Sequence, residues 1–230
     1  MSGLSLEEQR AYYDERWQNT HYGNLLEMER ASKILSLLRA TGLTEPRILD
    51  LGCGRGWLAG ILSAFGPVTG VDLSPEGIAR ARDLWPQVDF RAGDVFTMPL
   101  ETDAYDVVVS QEVLEHVDDQ SGYLAVAARC LRPGGVLILT TPNRRALDRF
   151  TEWEKEAWGV QPLEHWVTRS ELISLLAERF DVSRSGTFIA AGGSRGILFF
   201  CNTRPLRGPT AGLRCRLGLG LHLFALARRR

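Results

Sequence analysis

The sequence is poor in cysteine: only 4 of its 230 residues are cysteines, and no two of them stand in a C-x-x-C spacing. This scarcity indicates a reduced, cytoplasmic compartment in which the protein has no structural disulfides. No run of about 18 apolar residues occurs, so no transmembrane helix is predicted. The first residues are polar and acidic, which is unlike a secretory signal peptide.

Excess charge of one sign is also missing, because the formal net charge is -1. A protein held on nucleic acid by its overall charge is therefore not indicated. The balance hides one asymmetry, since the stretch 204–230 contains seven arginines and no acidic residue, which leaves the rest of the chain acidic. A length of 230 residues suits one α/β domain with a sizeable core and is too short for two.

Short β-branched runs alternate with amphipathic stretches through the middle of the chain. The stretches have helical spacing, and two further helices are expected before the first run. This alternation predicts a parallel sheet covered by helices on both faces. The predicted strands are Arg47–Leu51, Val68–Leu73, Tyr105–Ser110 and Val136–Thr141, with Val88–Arg91 as a weaker fifth.

The C-terminal part of the chain is less regular. An aromatic-rich stretch, Asn143–Trp166, precedes a capping box formed by Thr168 and Glu171, which opens another helix. Two closing strands are expected at Val182–Ala190 and Gly196–Cys201. These boundaries predict a domain at 1–203, with N-terminal helices that form a lid at 1–46, a substrate-covering insertion at 144–167 and a basic, leucine-rich tail at 204–230.

Two interpretations of the tail stay open. Ala211–Arg230 is leucine-rich and cationic, so it could lie as an amphipathic anchor on an anionic membrane, in peripheral contact with the lipid. Alternatively it is a loosely packed end, because Gly218 and Gly220 weaken any helix.

The segment Ile48–Gly56 (ILDLGCGRG) carries the clearest sign of a ligand site. A strand runs into three alternating glycines before a helix, so a ligand can lie against the backbone. Asp72 ends the second strand, where this architecture places the acid that binds ribose hydroxyls. Asp94 ends the third strand, where a carboxylate can accept from an adenine amino group. The G-x-G-x-G spacing differs from the dinucleotide fingerprint, and no phosphate-binding G-x-x-x-x-G-K loop is present, which disfavours NAD and ATP.

In their order and spacing, the motifs ILDLGCGRG, VTGVDLS, FRAGDVF, YDVVVSQEVLEHV and LRPGGVLILTTPNR resemble those of class I S-adenosylmethionine-dependent methyltransferases. The resemblance implies an α/β fold with a doubly wound, Rossmann-like, seven-stranded sheet whose last strand is antiparallel. It implies S-adenosyl-L-methionine as the cofactor, with Arg30 near the cofactor's carboxylate, as in the quinone-related members. The implied cofactor-binding residues are Arg30, Asp50, Gly52, Cys53, Gly54, Asp72, Leu73, Asp94, Val95 and Gln111.

The stretch Gln111–Val117 (QEVLEHV) follows the fourth strand, where the acceptor is expected. It lacks the Asn-Pro-Pro-Tyr-like loop of enzymes that methylate nucleobase amines. Its two glutamates and its histidine share one face if the turn is helical. With TTPN and a His-Trp segment, it resembles ubiquinone-biosynthesis O-methyltransferases and small-RNA 3′-terminal 2′-O-methyltransferases. In the RNA enzymes a divalent ion is held at the matching positions, so Mg²⁺, Mn²⁺ or Zn²⁺ is a candidate here, on Glu112, Glu115, His116 and His165.

Two mechanisms stay open at this stage. A metal would chelate two neighbouring oxygens of a diol or catechol and lower the pKa of the attacking one. Without a metal, His165 or His116 would be the general base that removes the proton from an acceptor hydroxyl. Solvated acids and packed histidines are the plain structural alternatives.

The sequence therefore predicts a methyltransferase that acts on a hydroxyl of a small molecule, such as a sugar, catechol or quinone-like acceptor. Three alternatives stay open. An RNA ribose 2′-O-methyltransferase is disfavoured because the domain is net acidic, whereas binding of nucleic acid depends largely on the neutralisation of phosphates. Nucleic acid is therefore an unlikely partner. A small-molecule N-methyltransferase and a non-catalytic cofactor-binding protein are the other two. The oligomeric state is not indicated.

Overall fold

The computed structural model describes residues 5–19, 25–150, 161, 163–190 and 220–230. Helices and strands alternate along most of this length. The helices are α1 (Leu6–Asn19), α2 (Leu25–Ala40), α3 (Trp57–Leu62), α4 (Pro75–Leu84), α5 (Gln120–Cys130), α6 (Arg144–Leu147) and α7 (Arg169–Leu176), with a 3₁₀ turn at Leu114–His116. The strands are β1 (Ile48–Leu51), β2 (Val68–Asp72), β3 (Asp89–Ala92), β4 (Tyr105–Gln111), β5 (Leu131–Pro142), β6 (Phe180–Ala190) and β7 (Gly220–Arg229).

The strands form one seven-stranded sheet in the order β3-β2-β1-β4-β5-β7-β6. Neighbouring strands from β3 to β5 are parallel, whereas β7 is antiparallel to both β5 and β6. Helices cover both faces, as parallel connections require. The predicted fold class, a doubly wound sheet whose last strand is antiparallel, is confirmed.

The core lies on both faces of this sheet, because side chains alternate along each strand. In β1, Leu49 and Leu51 join one apolar cluster with α5 and α7, whereas Ile48 joins the other with α2, α3 and α4. All four residues of β1 are buried, which explains why these strands read as continuous apolar runs. Among the described residues, no helix is both long and apolar enough to cross a membrane.

The C-terminal segment corrects one prediction. Gly220–Arg229 was expected to belong to a tail, but it is strand β7 and lies between β5 and β6. Its apolar side chains Leu223, Ala225 and Ala227 are fully buried, so this part of the chain can be neither a membrane anchor nor a loose end. The physical reason is that an apolar run covered on both faces is a buried strand, whatever its flanking arginines. Residues 191–219, including the strand expected at Gly196–Cys201, lie outside the described residues.

The parallel strands bring their carboxyl ends to one edge of the sheet. The loops after β1, β2, β3 and β4 all open at this edge, which is where open α/β sheets bind ligands. Ser74 caps α4 by accepting from Gly77 N at 2.9 Å, so the helix begins directly after the second of these loops. The sheet therefore gathers four loops around one cavity.

Candidate active site

A cavity of about 610 Å³ opens at the carboxyl edge of the sheet. Its volume lies within the range of about 300–1,000 Å³ that is usual for small-molecule sites. Every residue predicted to bind the cofactor is in its wall: Arg30, Asp50, Gly52, Cys53, Gly54, Asp72, Leu73, Asp94, Val95 and Gln111. The structure thus brings together side chains and backbone from four loops and from α2.

The glycine-rich turn after β1 forms the floor of this cavity. Gly52 and Gly54 have φ values of +85° and +54°, a left-handed conformation that favours glycine. A Cβ on Gly52 would lie 2.4 Å from Val113 Cγ2, and one on Gly54 would lie 2.9 Å from Trp17 Cζ2. The turn therefore presents bare backbone to the cavity, and any side chain there would occupy the space of a ligand.

Asp72 holds this turn in place. Its Oδ2 accepts from Gly54 N at 2.7 Å, and its Oδ1 accepts from Ser74 N at 3.0 Å. Burial raises the pKa of Asp72, although both of these backbone hydrogen bonds oppose the shift. Each carboxylate oxygen has a second lone pair, so Asp72 can still accept hydrogen bonds from a ligand in the cavity.

Asp50 is a buried acid whose polar requirements are not met by the described residues. Its side chain is 1% exposed, and its Oδ2 has no hydrogen-bond partner among them. Burial, together with the nearby charge of Asp72, raises the pKa of Asp50 to about 7. A buried carboxyl without a partner is costly, so a cationic or hydrogen-bonding ligand in this cavity would stabilise it.

Helix α1 lies over the glycine-rich turn. Trp17 contacts the turn at Gly54 and stands between two arginines, with Arg16 Cζ 5.7 Å and Arg55 Cζ 5.8 Å from its ring centroid. Asp14 accepts from the Ser74 hydroxyl and from Glu76 N, which ties α1 to the start of α4. The two N-terminal helices exist as expected, while their action as a lid stays a prediction.

Glu112, directly after β4, contacts an imidazole and a guanidinium. Its Oε2 lies 2.7 Å from His222 Nδ1 and 3.6 Å from Arg30 Nη1. Burial would raise the pKa of Glu112, but the charges of His222 and Arg30 and hydrogen bonds from His222 and Thr140 lower it to about 2. Glu112 is therefore a buried anion with protein partners of its own.

Glu115 and His116 lie in the 3₁₀ turn that follows. Thr141 Oγ1 donates to Glu115 Oε2 at 2.9 Å, and burial followed by the charge of Glu112 raises the pKa of Glu115 well above its usual range. His116 Nδ1 donates to Leu163 O and its Nε2 accepts from Gln161 Nε2, both at 2.8 Å. Burial lowers the pKa of His116 to about 4, so its imidazole is neutral at pH 7.

His165 does not belong to this cavity. Its amide donates to Glu115 O at 2.7 Å, its carbonyl accepts from Gln120 Nε2 at 2.8 Å, and its ring pairs with Asp118 at 3.0 Å. The side chain is 47% exposed and is not in the cavity wall. The structure therefore places the His165 ring outside the cavity wall and does not support its predicted role as a catalytic base.

The predicted metal site is also wrong. Glu112 contacts His222 and Arg30, Glu115 contacts Thr141, and both ring nitrogens of His116 have partners. In the part of the chain that the structure describes, no three histidine, cysteine, aspartate or glutamate side chains are arranged as metal ligands. The four predicted donors Glu112, Glu115, His116 and His165 do not fit a divalent ion, since each is committed elsewhere.

Several wall residues were not predicted. Gln161 and Glu164 come from the insertion, and burial raises the pKa of Glu164. His222, which is not itself in the wall, was also not predicted, although the alternation of Leu221, Leu223 and Ala225 around it is a strand signal. The insertion tryptophans Trp153 and Trp158 lie outside the described residues.

Comparisons with known proteins agree with this geometry. Residues 49–139 match the family model described as a methyltransferase domain. A ubiquinone biosynthesis O-methyltransferase of Xanthomonas oryzae pv. oryzae is 35% identical over 152 residues, which cover 56% of this chain and 64% of that protein. A Mycobacterium tuberculosis protein named as a probable S-adenosylmethionine-dependent methyltransferase is 35% identical over 148 residues, or 63% of this chain and 53% of the relative. The chain thus spans less than two thirds of the length of either relative.

Solved structures show the same fold. The N-methyltransferase NodS of Bradyrhizobium japonicum, in complex with S-adenosylhomocysteine, superposes with a TM-score of 0.66 at 18% identity, covering 96% of this chain and 97% of NodS. An S-adenosylmethionine-dependent methyltransferase of Mesorhizobium loti superposes with a TM-score of 0.63 at 23% identity, covering 84% and 96%. The matched segment 49–139 contains the whole glycine-rich edge of the cavity. The chain is accordingly similar to S-adenosylmethionine-dependent methyltransferases, and its residues 49–139 match the model of a methyltransferase domain.

Proposed function

We propose that this protein binds S-adenosylmethionine in the cavity and transfers its methyl group to a small acceptor molecule. The observation that carries the proposal is the bare glycine-rich turn, which is held by Asp72 and adjoins the Asp50 carboxyl, whose Oδ2 has no hydrogen-bond partner among the described residues. This cradle fits the cofactor, because the cofactor's ammonium and sulfonium groups are cations and the nearest wall is acidic. S-adenosylmethionine supplies an electrophilic methyl group with a good leaving group attached.

The wall offers a partner for each polar part of the cofactor. Asp72 would accept from the ribose hydroxyls and Asp94 from the adenine amino group, as the relatives' motifs imply. Asp50 would accept from the ammonium group, which satisfies its buried oxygen. Arg30 would bind the carboxylate, and its Nε is buried without a partner among the described residues.

We assign the acceptor to the part of the cavity beside His116 and propose a hydroxyl as the methylated group. Because Nδ1 of His116 donates to Leu163 O, the basic lone pair is on Nε2. An acceptor hydroxyl would replace the Gln161 amide at this nitrogen and pass its proton to it as the new oxygen–carbon bond forms. The remaining contribution is alignment in a site that excludes water.

A second candidate is methylation of a small amine. Glu115 and Glu164 lie in the same wall as His116. Their carboxyl groups would attract the protonated form of an amine acceptor. Such an acceptor would need to lose a proton before attack, and His116 would again receive it. An acceptor panel that contains matched alcohols and amines separates the two candidates.

Calorimetric titration tests the first step directly. We expect S-adenosylmethionine to bind the wild-type protein and Asp89→Asn with equal affinity, because Asp89 is an exposed carboxylate paired with Arg91. Asp72→Leu should lose binding. Turnover of the acceptor panel, measured with and without a chelator, should be the same, since the described residues assemble no set of metal ligands. Failure of the wild-type protein to bind the cofactor would refute the proposed function.

A further inference from the structure

Three side chains from distant parts of the chain meet behind the cavity wall. Arg30 comes from α2, Glu112 from directly after β4 and His222 from β7. His222 is fully buried, and the side chains of Arg30 and Glu112 are 18% and 13% exposed. Arg30 and Glu112 line the cavity, whereas His222 lies behind them. The three residues therefore form a chain of contacts that leads from the sheet interior to the cavity.

The backbone at Glu112 is unusual. Its φ is +54°, a left-handed conformation that costs a residue with a Cβ about 1–2 kcal/mol. Glu112 N donates to Thr140 O at 3.0 Å, which holds the chain in this conformation beside β5. Strain of this kind persists where the surroundings fix a side chain in one place, and here it fixes the Glu112 carboxylate against His222 and Arg30.

Helix α2 has a second attachment to the same strands. Lys33 lies almost one turn after Arg30, and its Nζ is 4.6 Å from the ring centroid of Phe224 on β7 and 5.7 Å from that of Phe188 on β6. Lys33 thus holds the helix on the sheet by cation–π contacts, while Glu112 acts on the Arg30 side chain. The two contacts have different consequences, because only Arg30 reaches the cavity.

We propose that His222, through Glu112, is a positioning residue that holds the Arg30 guanidinium ready for the α-carboxylate of the cofactor. This inference rests on the proposed function. Glu112 Oε2 contacts the guanidinium of Arg30 at Nη1. The Nε atom is buried and has no hydrogen-bond partner among the described residues, so this edge of the guanidinium is left for the ligand's carboxylate. A guanidinium binds a carboxylate best through two parallel hydrogen bonds, which demand a fixed plane.

The imidazole matters for two reasons. It orients the Glu112 carboxylate, and a donor at 2.7 Å draws negative charge away from the oxygen that faces Arg30. Arg30 therefore keeps more of its attraction for an external anion than it would beside an unpartnered carboxylate. Holding the long arginine side chain before binding also reduces the conformational entropy lost when the ligand arrives.

The test compares two ligands that differ only in the carboxylate: S-adenosylmethionine and decarboxylated S-adenosylmethionine. Their dissociation constants are measured by calorimetry for wild type, His222→Leu and His222→Asn. We expect His222→Leu to weaken S-adenosylmethionine about tenfold and the decarboxylated ligand less than about twofold. His222→Asn should restore most of the affinity, because its amide N–H lies near the position of Nδ1.

Matched variants separate positioning from general packing. Lys33→Met changes the other attachment of α2 and should lower the melting temperature without changing the ratio of the two affinities. Glu112→Asp keeps the negative charge but shortens the side chain, so that it no longer bridges His222 and Arg30; it should reproduce the effect of His222→Leu, which covers the case in which His222→Leu does not fold. An equal loss for both ligands, or no loss, would overturn the role of His222 while leaving the proposed function intact. Wild type that binds neither ligand would overturn both.

Discussion

One side of the cavity is formed mainly by backbone and the other mainly by side chains. The side after β1, β2 and β3 is largely backbone, with a glycine-rich turn whose conformation is held by Asp72. The side formed after β4 and β5 and at the start of β7 consists of side chains that bind one another, such as Glu112 with His222 and His116 with Gln161. The first side is specified within short stretches of sequence. The second depends on residues that only the fold brings together.

This difference implies different tolerances to mutation. A backbone cradle fails when any side chain is added to it, whereas a side-chain network fails when one member is removed. The first failure should affect binding of the cofactor as a whole, whereas the second should affect methyl transfer at His116 and recognition of the cofactor's carboxylate at Glu112 and His222. Variants on each side can therefore test whether the two sides have separate tasks.

The largest effect is expected at His116. His116→Ala should lower kcat by about 100-fold or more, because general-base catalysis contributes about 10²–10⁴-fold, while S-adenosylmethionine binding stays unchanged. His165→Ala is the matched control and should leave kcat unchanged, since His165 lies outside the cavity wall. Steady-state kinetics on the acceptor found in the panel measures both. Equal losses for the two variants would contradict the assignment.

The pH profile sharpens the same assignment. Because burial lowers the pKa of His116 to about 4, the base is already deprotonated at pH 6. We expect kcat not to fall as the pH is lowered through about 6.5, where an ordinary histidine becomes protonated. A fall at that pH which disappears in His116→Ala would show that the imidazole titrates normally.

The next effect is expected on the backbone side. Gly54→Ala should weaken cofactor binding about 10- to 100-fold, because the added Cβ meets Trp17 at 2.9 Å and the φ of +54° disfavours alanine. Gly42→Ala has the same kind of strain, with a φ of +71°, but its Cβ would meet nothing within 4 Å. It should lower stability and leave binding intact. Calorimetry with both variants separates strain from obstruction.

A smaller effect is expected from the ionisation of Asp50. Its folded-state pKa of about 7 lies above the ordinary value of 3.8, so the folded protein binds the extra proton between about pH 4 and pH 7. Stability of the ligand-free protein should therefore fall as pH rises through this window, and Asp50→Asn should remove that fall. A cationic ligand favours the ionised form, so wild-type affinity for S-adenosylmethionine should rise from pH 6 to pH 8 with release of a proton. Titrations in buffers of different ionisation enthalpy count the protons, and a pH-independent affinity would contradict the contact with Asp50.

The smallest effect is expected outside both sides of the cavity. Thr168 and Glu171 form a capping box at the start of α7. Thr168→Ala should lower the free energy of unfolding by about 1 kcal/mol, because the first turn loses its side-chain acceptor. Ser174→Ala, at an exposed position of the same helix, should be close to neutral. Denaturant unfolding measures both, and a change in cofactor affinity with Thr168→Ala would show that α7 contributes to the site.

The same difference explains how far the sequence could predict the structure. Strands β1 to β5 lie close to their predicted positions, because each is a short apolar run bounded by turn residues. The residues predicted to bind the cofactor all line one cavity, because a glycine turn and strand-end acids are local patterns that this sheet brings to one edge. His222 was missed because its role depends on pairing with Pro142 and Phe188 in the sheet, which no local pattern contains. His165 was predicted to act in the site from its position in a motif, but such a position does not fix the direction of a side chain.

The order of the strands also determines when the site can be completed during synthesis of the chain. Strand β7 leaves the ribosome after the other described strands, yet it is an interior strand, and within the described sheet β6 hydrogen-bonds to β7 alone. Until Gly220–Arg229 emerges, β5 is an open edge that another chain could pair with. Pairing over such sequence distances is slow. The glycine-rich cradle can therefore form on a nascent chain, while the side that holds Glu112 matures only after Gly220–Arg229 has been synthesised.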